Sequence, residues 1–144
     1  MDEGLRTQEK ARQQFGAVPL RTAADGSLEI LLITTRTTGR WTIPKGWPIK
    51  GLKAHEAAAR EALEEAGAIG TIDRTPVGRY LYWKRMDGYF QLCEVEAYLL
   101  TVESQLDDWP ERDQRRHEWF KLNDAADLVE EPGLKAVLRS LDSA

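Results

Sequence analysis

Three glutamates stand close together in the middle of the chain, at a spacing that a helix would turn into a cluster. Glu61, Glu64 and Glu65 occupy positions i, i+3 and i+4. On an α-helix these positions share one face, so the three carboxylates lie close together and repel one another. A hard divalent cation would remove the repulsion, and Mg²⁺ is commonly held by a few carboxylates together with substrate phosphates. The spacing therefore predicts a site for Mg²⁺, with Mn²⁺ as a second candidate ion.

The neighbouring residues predict the helix that this cluster needs. Small apolar side chains that suit close packing on a sheet fall opposite the acids: Ala59, Ala62, Leu63 and Ala66. Gly67 follows the last turn, where a left-handed residue commonly ends a helix. Lys53 is a poor N-cap, but Glu56 three residues later can accept a hydrogen bond from its backbone N–H. Loop, acidic helix and terminal glycine form one unit.

The segment over residues 46–68 resembles the Nudix box. That pattern is Gly, five residues, Glu, seven residues, then Arg-Glu-apolar-any-Glu-Glu-any-Gly-apolar. Six of its seven fixed positions are filled here, by Gly46, Arg60, Glu61, Glu64, Glu65 and Gly67, while Leu52 replaces the first glutamate. The flanking runs GRWTIPKG at 39–46 and RRHEWF at 115–120 resemble the diphosphoinositol and diadenosine polyphosphate phosphohydrolase branch of the same family.

The resemblance implies hydrolysis of a diphosphate linked to another moiety, by an attacking water and one or more divalent cations. It implies that Glu64 and Glu65 bind the metal directly, together with the backbone carbonyl of Gly46. Glu61 either activates the water itself or holds a second metal ion that does so, and both roles stay open. The implied activity is that of a pyrophosphohydrolase, because the reaction breaks a phosphoric anhydride bond.

A further base or metal ligand often comes from a late loop in this family, and Glu111 or Asp113 is suitably positioned in the sequence to supply it. The alternative is that both are ordinary solvated acids. The identity of the general base, Glu61 or one of these two, is therefore left open at this point.

Leu52 is the main departure from the family pattern. The acid at this position typically pairs with the arginine of the box, here Arg60, which we predict to be a catalytic residue that orients one of the glutamates. Glu56 lies four residues before Arg60 and is able to replace the missing acid on the same helix face. Its alternative role is that of a helix cap. A non-catalytic ligand sensor with a Nudix fold is a rival interpretation that Leu52 motivates.

Substrate recognition is assigned to basic residues outside the box, because the planar fork of arginine binds phosphate in a bidentate manner. The candidates are Arg21, Arg36, Arg40, Lys45 and Arg116. Arg115 belongs to a second basic group beside Arg116. By the resemblance, Arg21, Arg36 and Arg40 match phosphate-contacting positions of the polyphosphate branch. The resemblance thus implies a polyphosphorylated small molecule as substrate, such as a dinucleoside polyphosphate or a diphosphoinositol phosphate. The same chemistry on nucleotide sugars, nucleoside triphosphates or RNA 5′ ends is the alternative.

Length and composition agree with a single domain over residues 1–144, of which residues 1–12 are polar and expected to be partly frayed. The net charge of −4 argues against a general nucleic-acid binder. The only cysteine, Cys93, is expected in the core. No apolar run suits a membrane span and no signal-like stretch occurs, so we expect a cytoplasmic protein, monomeric or homodimeric.

Hydrophobic periodicity predicts an α+β protein, and the resemblance sharpens this to a Nudix-type α/β/α sandwich with a mixed β-sheet. The predicted strands lie at 15–20, 28–34, 41–43, 78–84, 89–100 and 117–122, with a further strand or a turn at 71–76. Turn residues at 24–27 and at 86–88 predict two hairpins, one joining the first two strands and one joining the strands at 78–84 and 89–100. Two helices are predicted after the last strand, one at 124–130 capped by Asn123 or Asp124, and one from Pro132 to Leu141.

Overall fold

A computed structural model describes residues 6–143 of the chain, and side chains over residues 10–142. The strands are β1 Arg6–Thr22, β2 Leu28–Thr34, β3 Trp41–Thr42, β4 Lys45–Gly46, β5 Ala68–Ile72, β6 Gly78–Arg85, β7 Tyr89–Gln105 and β8 His117–Lys121. The helices are α1 Ala54–Ala66, α2 Leu122–Leu128 and α3 Pro132–Ser140, with short 3₁₀ turns at Arg112–Gln114 and Leu141–Ser143.

These strands form one mixed sheet around two long central strands. β1 and β7 run parallel, whereas β2, β3, β5, β6 and β8 pair with their neighbours in antiparallel fashion. One edge of β1 changes partner along its length: Leu20 pairs with β2, but Phe15 and Gly16 pair with β4. The short β4 thereby holds the start of the box against the middle of the sheet.

Helices cover both faces of the sheet, as a sandwich requires. On one face, α2 and α3 contribute an apolar layer that includes Leu134 and Leu138, both fully buried. On the other face, α1 packs through Ala58, Ala62 and Ala66, which are also fully buried. Alanine at these positions lets the helix axis approach the sheet closely. The predicted α/β/α sandwich with a mixed sheet is confirmed.

The predicted packing face of the acidic helix was partly wrong. Ala62 and Ala66 are buried as predicted, but Ala58 is buried where Ala59 was expected, and Ala59 and Leu63 line an outer cleft. The contact surface of α1 is therefore rotated toward the acids. This rotation places Glu65 in the interior, and the residue is only 7% exposed.

Several boundaries differ from the sequence-based prediction because tertiary pairing overrides local preference. Within the stretch expected to be partly frayed, β1 begins at Arg6 and its first residues pair with β7; residues 1–5 lie outside the described part. β4 was not predicted, and β5 begins at Ala68, directly after the helix. α2 begins at Leu122, before the Asn123 or Asp124 cap that was predicted, and has no side-chain cap.

Both predicted hairpins and the predicted burial of Cys93 agree with the structure. Residues 23–27 connect β1 to β2 as a hairpin, and residues 86–88 connect β6 to β7. Cys93 is fully buried. Among the described residues, no helix is both long enough and apolar enough to span a membrane.

Candidate metal and phosphate site

Helix α1 is fixed at both ends by the residues that the sequence indicated. The backbone N–H of Lys53 donates to Oε1 of Glu56 at 2.8 Å, which makes Glu56 a cap of the first turn. Gly67 ends the helix with φ 65°, and a Cβ there would lie 2.2 Å from the Trp109 ring. Both conformation and space therefore require glycine at this position. The positions of both ends of α1 are therefore fixed by local contacts.

Glu61 lies directly against the backbone of Gly46. A Cβ added to Gly46 would be only 2.5 Å from Cδ and Oε1 of Glu61. No other residue type leaves room for the carboxyl group, because even alanine would displace it. This contact explains why the pattern needs a glycine so far in sequence from the acids. It also brings the Gly46 backbone to the acidic face of the helix.

Glu65 is the buried member of the cluster and has two donors. The backbone N–H of Lys45 donates to its Oε1 at 3.1 Å, and Nη2 of Arg115 donates to its Oε2 at 3.2 Å. Arg115 also pairs with Glu111 at 2.9 Å and donates through Nη1 to the backbone carbonyl of Thr34 at 3.1 Å. Its side chain is 10% exposed. Arg115 thus holds Glu65, the late loop and the end of β2 in one arrangement.

The pKa values of Glu61, Glu65 and Lys45 are shifted from their ordinary values. Burial raises the pKa of Glu65 to about 8, with Arg115 and Lys45 acting in the opposite direction and Glu61 adding to the rise. Burial and the neighbouring Glu64 also raise the pKa of Glu61, against a hydrogen bond with Glu65. Burial lowers the pKa of Lys45, whereas Glu131 and Glu65 oppose that change. The site contains more negative charge than its own cations stabilise.

Arg60 does not take the position that we predicted for it. Its exposed side chain lines a cleft between α1 and β5 that does not include the three glutamates, and among the described residues it makes no hydrogen bond or ion pair. Glu56 does not pair with it, so the capping role of Glu56 is the one observed. The arginine that orients an acid of the box is Arg115, which the sequence analysis assigned only to a basic substrate-binding group. Its contact with Glu65 spans 50 residues of sequence, and no local pattern indicates it.

Replacing Arg115 with methionine is expected to lower the free energy of unfolding by about 2 kcal/mol. The change leaves Glu65 and Glu111 without their shared cation, and breaking a buried pair is costly. The loss is limited because Glu65 can take up a proton. Urea denaturation at neutral pH measures the effect, and the exposed neighbour Arg116→Met is the control, with an expected change below about 0.5 kcal/mol. Equal losses in the two variants would contradict a structural role for Arg115.

Three of the five predicted substrate-binding residues lie around the end of β2. Arg36 donates to Gln114 at 3.0 Å, and Arg40 pairs with Glu130 at 3.1 Å. Arg116 lies over the ring of Trp41, 5.0 Å from its centroid. All three are exposed, so their charges are available to an anion. They form a basic rim beside the strand end that Arg115 contacts.

The other two predicted residues are placed differently. Lys45 is half-buried, with Nζ 3.2 Å from the Thr42 hydroxyl and 5.0 Å from the centroid of the Tyr82 ring. Arg21 pairs with Glu29 at 2.8 Å, at the opposite end of β2 from Thr34. Glu29 and Thr34 are five positions apart along the strand, which is roughly 16 Å at about 3.3 Å per residue. The structure does not bring Arg21 to the acidic cluster.

The late-loop acids also differ from each other. Glu111 pairs with Arg115 and donates its backbone N–H to the carbonyl of Glu64 at 3.0 Å, so it adjoins the cluster. Asp113 is exposed in the 3₁₀ turn and lines a separate cleft of about 620 Å³ with Trp109 and Gln114. Of the two candidates, Glu111 is the one that lies beside the acids of α1.

The donor chemistry of this site suits a hard divalent cation, since carboxylates and a backbone carbonyl are all oxygen ligands. Glu61 lies against the Gly46 backbone, and the buried Glu65 accepts the backbone N–H of the preceding residue, Lys45. Over the described part of the chain, no three His, Cys, Asp or Glu side chains are arranged to hold a metal ion together. The structure therefore brings together Glu61 and Glu65, and the role of Glu64 as a ligand stays a prediction.

Comparison with known proteins gives relatives along most of the chain. "Nudix hydrolase 18, mitochondrial" of Arabidopsis thaliana is 31% identical over 134 residues, which cover 88% of this chain and 74% of that protein. "Diphosphoinositol polyphosphate phosphohydrolase 3-beta" of Bos taurus is 32% identical over 109 residues, covering 71% and 60%. The chain spans between 52% and 81% of the length of the Arabidopsis relatives that it matches.

Solved structures with the same fold include a Caenorhabditis elegans Ap4A hydrolase binary complex, with a TM-score of 0.68 at 23% identity. That match covers 92% of this chain and 96% of the other. The NUDIX domain of Shewanella oneidensis NrtR complexed with ADP ribose has a TM-score of 0.64 at 14% identity, covering 94% and 90%. At such identities the similarity concerns the fold.

The family itself is established by a match to the NUDIX domain over residues 10–141, together with plant relatives above 30% identity. This span includes the sheet, the acidic helix and both terminal helices. The chain therefore belongs to the Nudix family of hydrolases, which act on phosphoric anhydride bonds.

Proposed function

We propose that this chain is a divalent-metal-dependent pyrophosphohydrolase that cleaves a diphosphate linkage in a polyphosphorylated small molecule. The main observation in support is a pair of neighbouring carboxylates at the start of the box: Glu61 lies against the backbone of Gly46, and the buried Glu65 accepts the backbone N–H of Lys45. Two neighbouring acids with little access to water are costly to ionise together, and a bound cation removes that cost. The basic rim of Arg36, Arg40 and Arg116 lies near the same end of the sheet, where an anionic substrate would be attracted.

Mg²⁺ is the proposed cofactor, with Mn²⁺ as an alternative, and Glu61, Glu64, Glu65 and the carbonyl of Gly46 are the proposed ligands. Such an ion neutralises charge on phosphate oxygens and activates water for attack. Around it, the backbone N–H of Lys45 and the guanidinium of Arg115 orient Glu65. These contacts fix the carboxylate before substrate binds, which reduces the cost of organising the site.

The proposed roles of the other residues follow from their positions. Arg36, Arg40 and Arg116 bind the outer phosphates through their exposed guanidinium groups. Glu61 or Glu111 accepts a proton from the attacking water, and both adjoin the cluster. Arg60 lines a cleft that does not include the three glutamates and makes no hydrogen bond or ion pair with them among the described residues, so we propose no catalytic role for it.

For the substrate, we propose a dinucleoside polyphosphate or a diphosphoinositol phosphate. The name of the bovine relative and the fold of the nematode hydrolase favour these classes. Nucleotide sugars, nucleoside triphosphates and RNA 5′ ends are same-chemistry alternatives. The ligand-sensor interpretation predicts binding without turnover, as it would for a Nudix domain that simply holds a ligand such as ADP ribose.

A substrate panel tests the proposal. Phosphate and nucleotide release is measured with dinucleoside polyphosphates, diphosphoinositol phosphates, ADP-ribose, nucleoside triphosphates and triphosphorylated RNA, in Mg²⁺ or Mn²⁺. We expect turnover of a member of the first two classes that stops when the ion is chelated and returns when Mg²⁺ is restored. Binding without turnover of any member would support the sensor interpretation. Full turnover in excess chelator would contradict the metal requirement.

Location and assembly are also proposals. We propose a cytoplasmic protein that acts as a monomer or homodimer without a nucleic-acid or membrane partner. Relatives have mitochondrial or chloroplastic in their names, so cell fractionation with organelle markers is the appropriate check. Light scattering of the purified protein gives its mass in solution.

A further inference from the structure

An open cleft of about 540 Å³ lies between α1 and the edge strand β5, and the proposed reaction does not use it. Its apolar part is formed by Leu63, Ile69, Ile72 and Leu100. Its polar part includes the side chains of Arg60, Arg74 and His55. Volumes of this order suit small-molecule ligands, which usually bind where an apolar wall meets a few polar groups.

The two arginines of this cleft lack anionic partners. Among the described residues, neither Arg60 nor Arg74 makes an ion pair or a side-chain hydrogen bond, although other exposed arginines, such as Arg79 and Arg139, pair with acids. Glu56 is the acid that lines the cleft, and its carboxylate accepts the N–H of Lys53 at the helix cap. In a chain of net charge −4, this is a local site of uncompensated positive charge.

Helix α1 separates this cleft from the proposed catalytic site. Successive residues of an α-helix are about 100° apart, so Arg60 points about 100° away from Glu61 and about 140° away from Glu65. Glu64, four residues after Arg60, lies on the same side of the helix as Arg60. None of the three glutamates lines the cleft. Consistent with this, Glu65 is buried near Lys45, whereas Arg60 is exposed. A ligand in the cleft would therefore occupy a site separate from the diphosphate-hydrolysing one.

We propose that the cleft binds a small organic anion with a phosphate or carboxylate group and an apolar body. The anionic group pairs with Arg60 and Arg74, and His55 contributes a further ring nitrogen. The apolar body covers Ile69, which is 40% exposed, together with Leu63 and Ile72. The anionic group matches the two arginines, and the apolar body matches the exposed apolar surface of the cleft.

Three probes separate the contributions of charge and apolar surface. Octyl phosphate has both parts, octyl glucoside has only the tail, and inorganic phosphate has only the anion. Each is titrated into the metal-free protein below its micelle concentration, and the amide shifts of residues 55–63 and 69–74 are followed by NMR. We expect octyl phosphate to bind at least about tenfold more tightly than either of the other probes, because both interactions contribute.

Variants provide the second readout. Arg60→Gln with Arg74→Gln is expected to weaken octyl phosphate binding about tenfold, and both residues are exposed, so folding is preserved. The matched control is Arg139→Gln, an exposed arginine of α3 on the other face of the sheet, with a change below about twofold. Equal binding of octyl glucoside, an equal effect of the control, or shifts confined to the Glu61 and Glu65 side of α1 would each overturn the proposal.

Discussion

Replacing Glu64 with glutamine is expected to lower kcat about 1,000-fold while leaving the stability of the fold nearly unchanged. Glutamine keeps the size of the side chain but removes the charge that a divalent cation requires, and loss of charge stabilisation at a reacting phosphate is costly. The side chain of Glu64 makes no hydrogen bond or ion pair in the described part of the chain, and only its backbone carbonyl accepts the N–H of Glu111. A loss of activity in Glu64→Gln would therefore not be explained by the loss of a structural contact.

The measurement is steady-state hydrolysis of the best substrate from the panel, paired with a urea denaturation curve. Glu56→Gln is the matched control, because it lies on the same helix but serves the cap, a role that glutamine also fills. We expect the control to retain activity within about twofold. If Glu64→Gln turned over at the wild-type rate, Glu64 would not be a ligand of the catalytic ion.

The features of the site that depend on neighbouring residues could be predicted from the sequence. Helical spacing brings Glu61 and Glu65 together, and the cap at Lys53 and the stop at Gly67 follow from local backbone chemistry. The two hairpins were predicted for the same reason, because turn residues separate strands that pair directly. In each case the interacting residues lie within one element or in consecutive elements.

The features that were missed depend on contacts between distant segments. Arg115 contacts Glu65 and Thr34 because the pairing of β8 with β2 brings these distant segments together. In the sequence, nothing distinguishes Arg115 from its neighbour Arg116. Arg60 was predicted to orient an acid, but Leu52 offers no carboxylate and the rotation of α1 directs Arg60 elsewhere. Arg21 was assigned to phosphate although strand pairing places it beside Glu29.

The same reasoning explains how the site tolerates leucine at the position where the box usually has glutamate. Arg115 contacts Glu65 and Glu111 and is anchored by the carbonyl of Thr34. Arg115, which lies just before β8, therefore orients the acids. Helix α1 does not need to supply a cation for this purpose. This replacement explains why the loss of an acid at Leu52 is compatible with an ordered cluster.

Replacing Gly46 with alanine is expected to lower kcat about 100-fold with a stability loss of about 1 kcal/mol or less. The new Cβ would lie 2.5 Å from Oε1 of Glu61 and must push the carboxyl group away. The backbone itself accepts alanine, since the φ of Gly46 is not in the left-handed region. The end of the glutamate side chain can move at low cost, but a displaced acid no longer meets the geometry that catalysis needs.

Gly51 provides the opposite case in the same loop. Its φ is 87° and nothing lies within 4 Å of the added Cβ, so Gly51→Ala should cost about 1 kcal/mol or more through backbone strain while kcat stays within about twofold. Steady-state kinetics and urea denaturation of both variants give the comparison. If activity fell in proportion to stability in both, the contact between Gly46 and Glu61 would have no special role. Loss of activity only in Gly46→Ala would show that the glycine is needed for the position of Glu61, because backbone conformation alone would make Gly51 the more sensitive site.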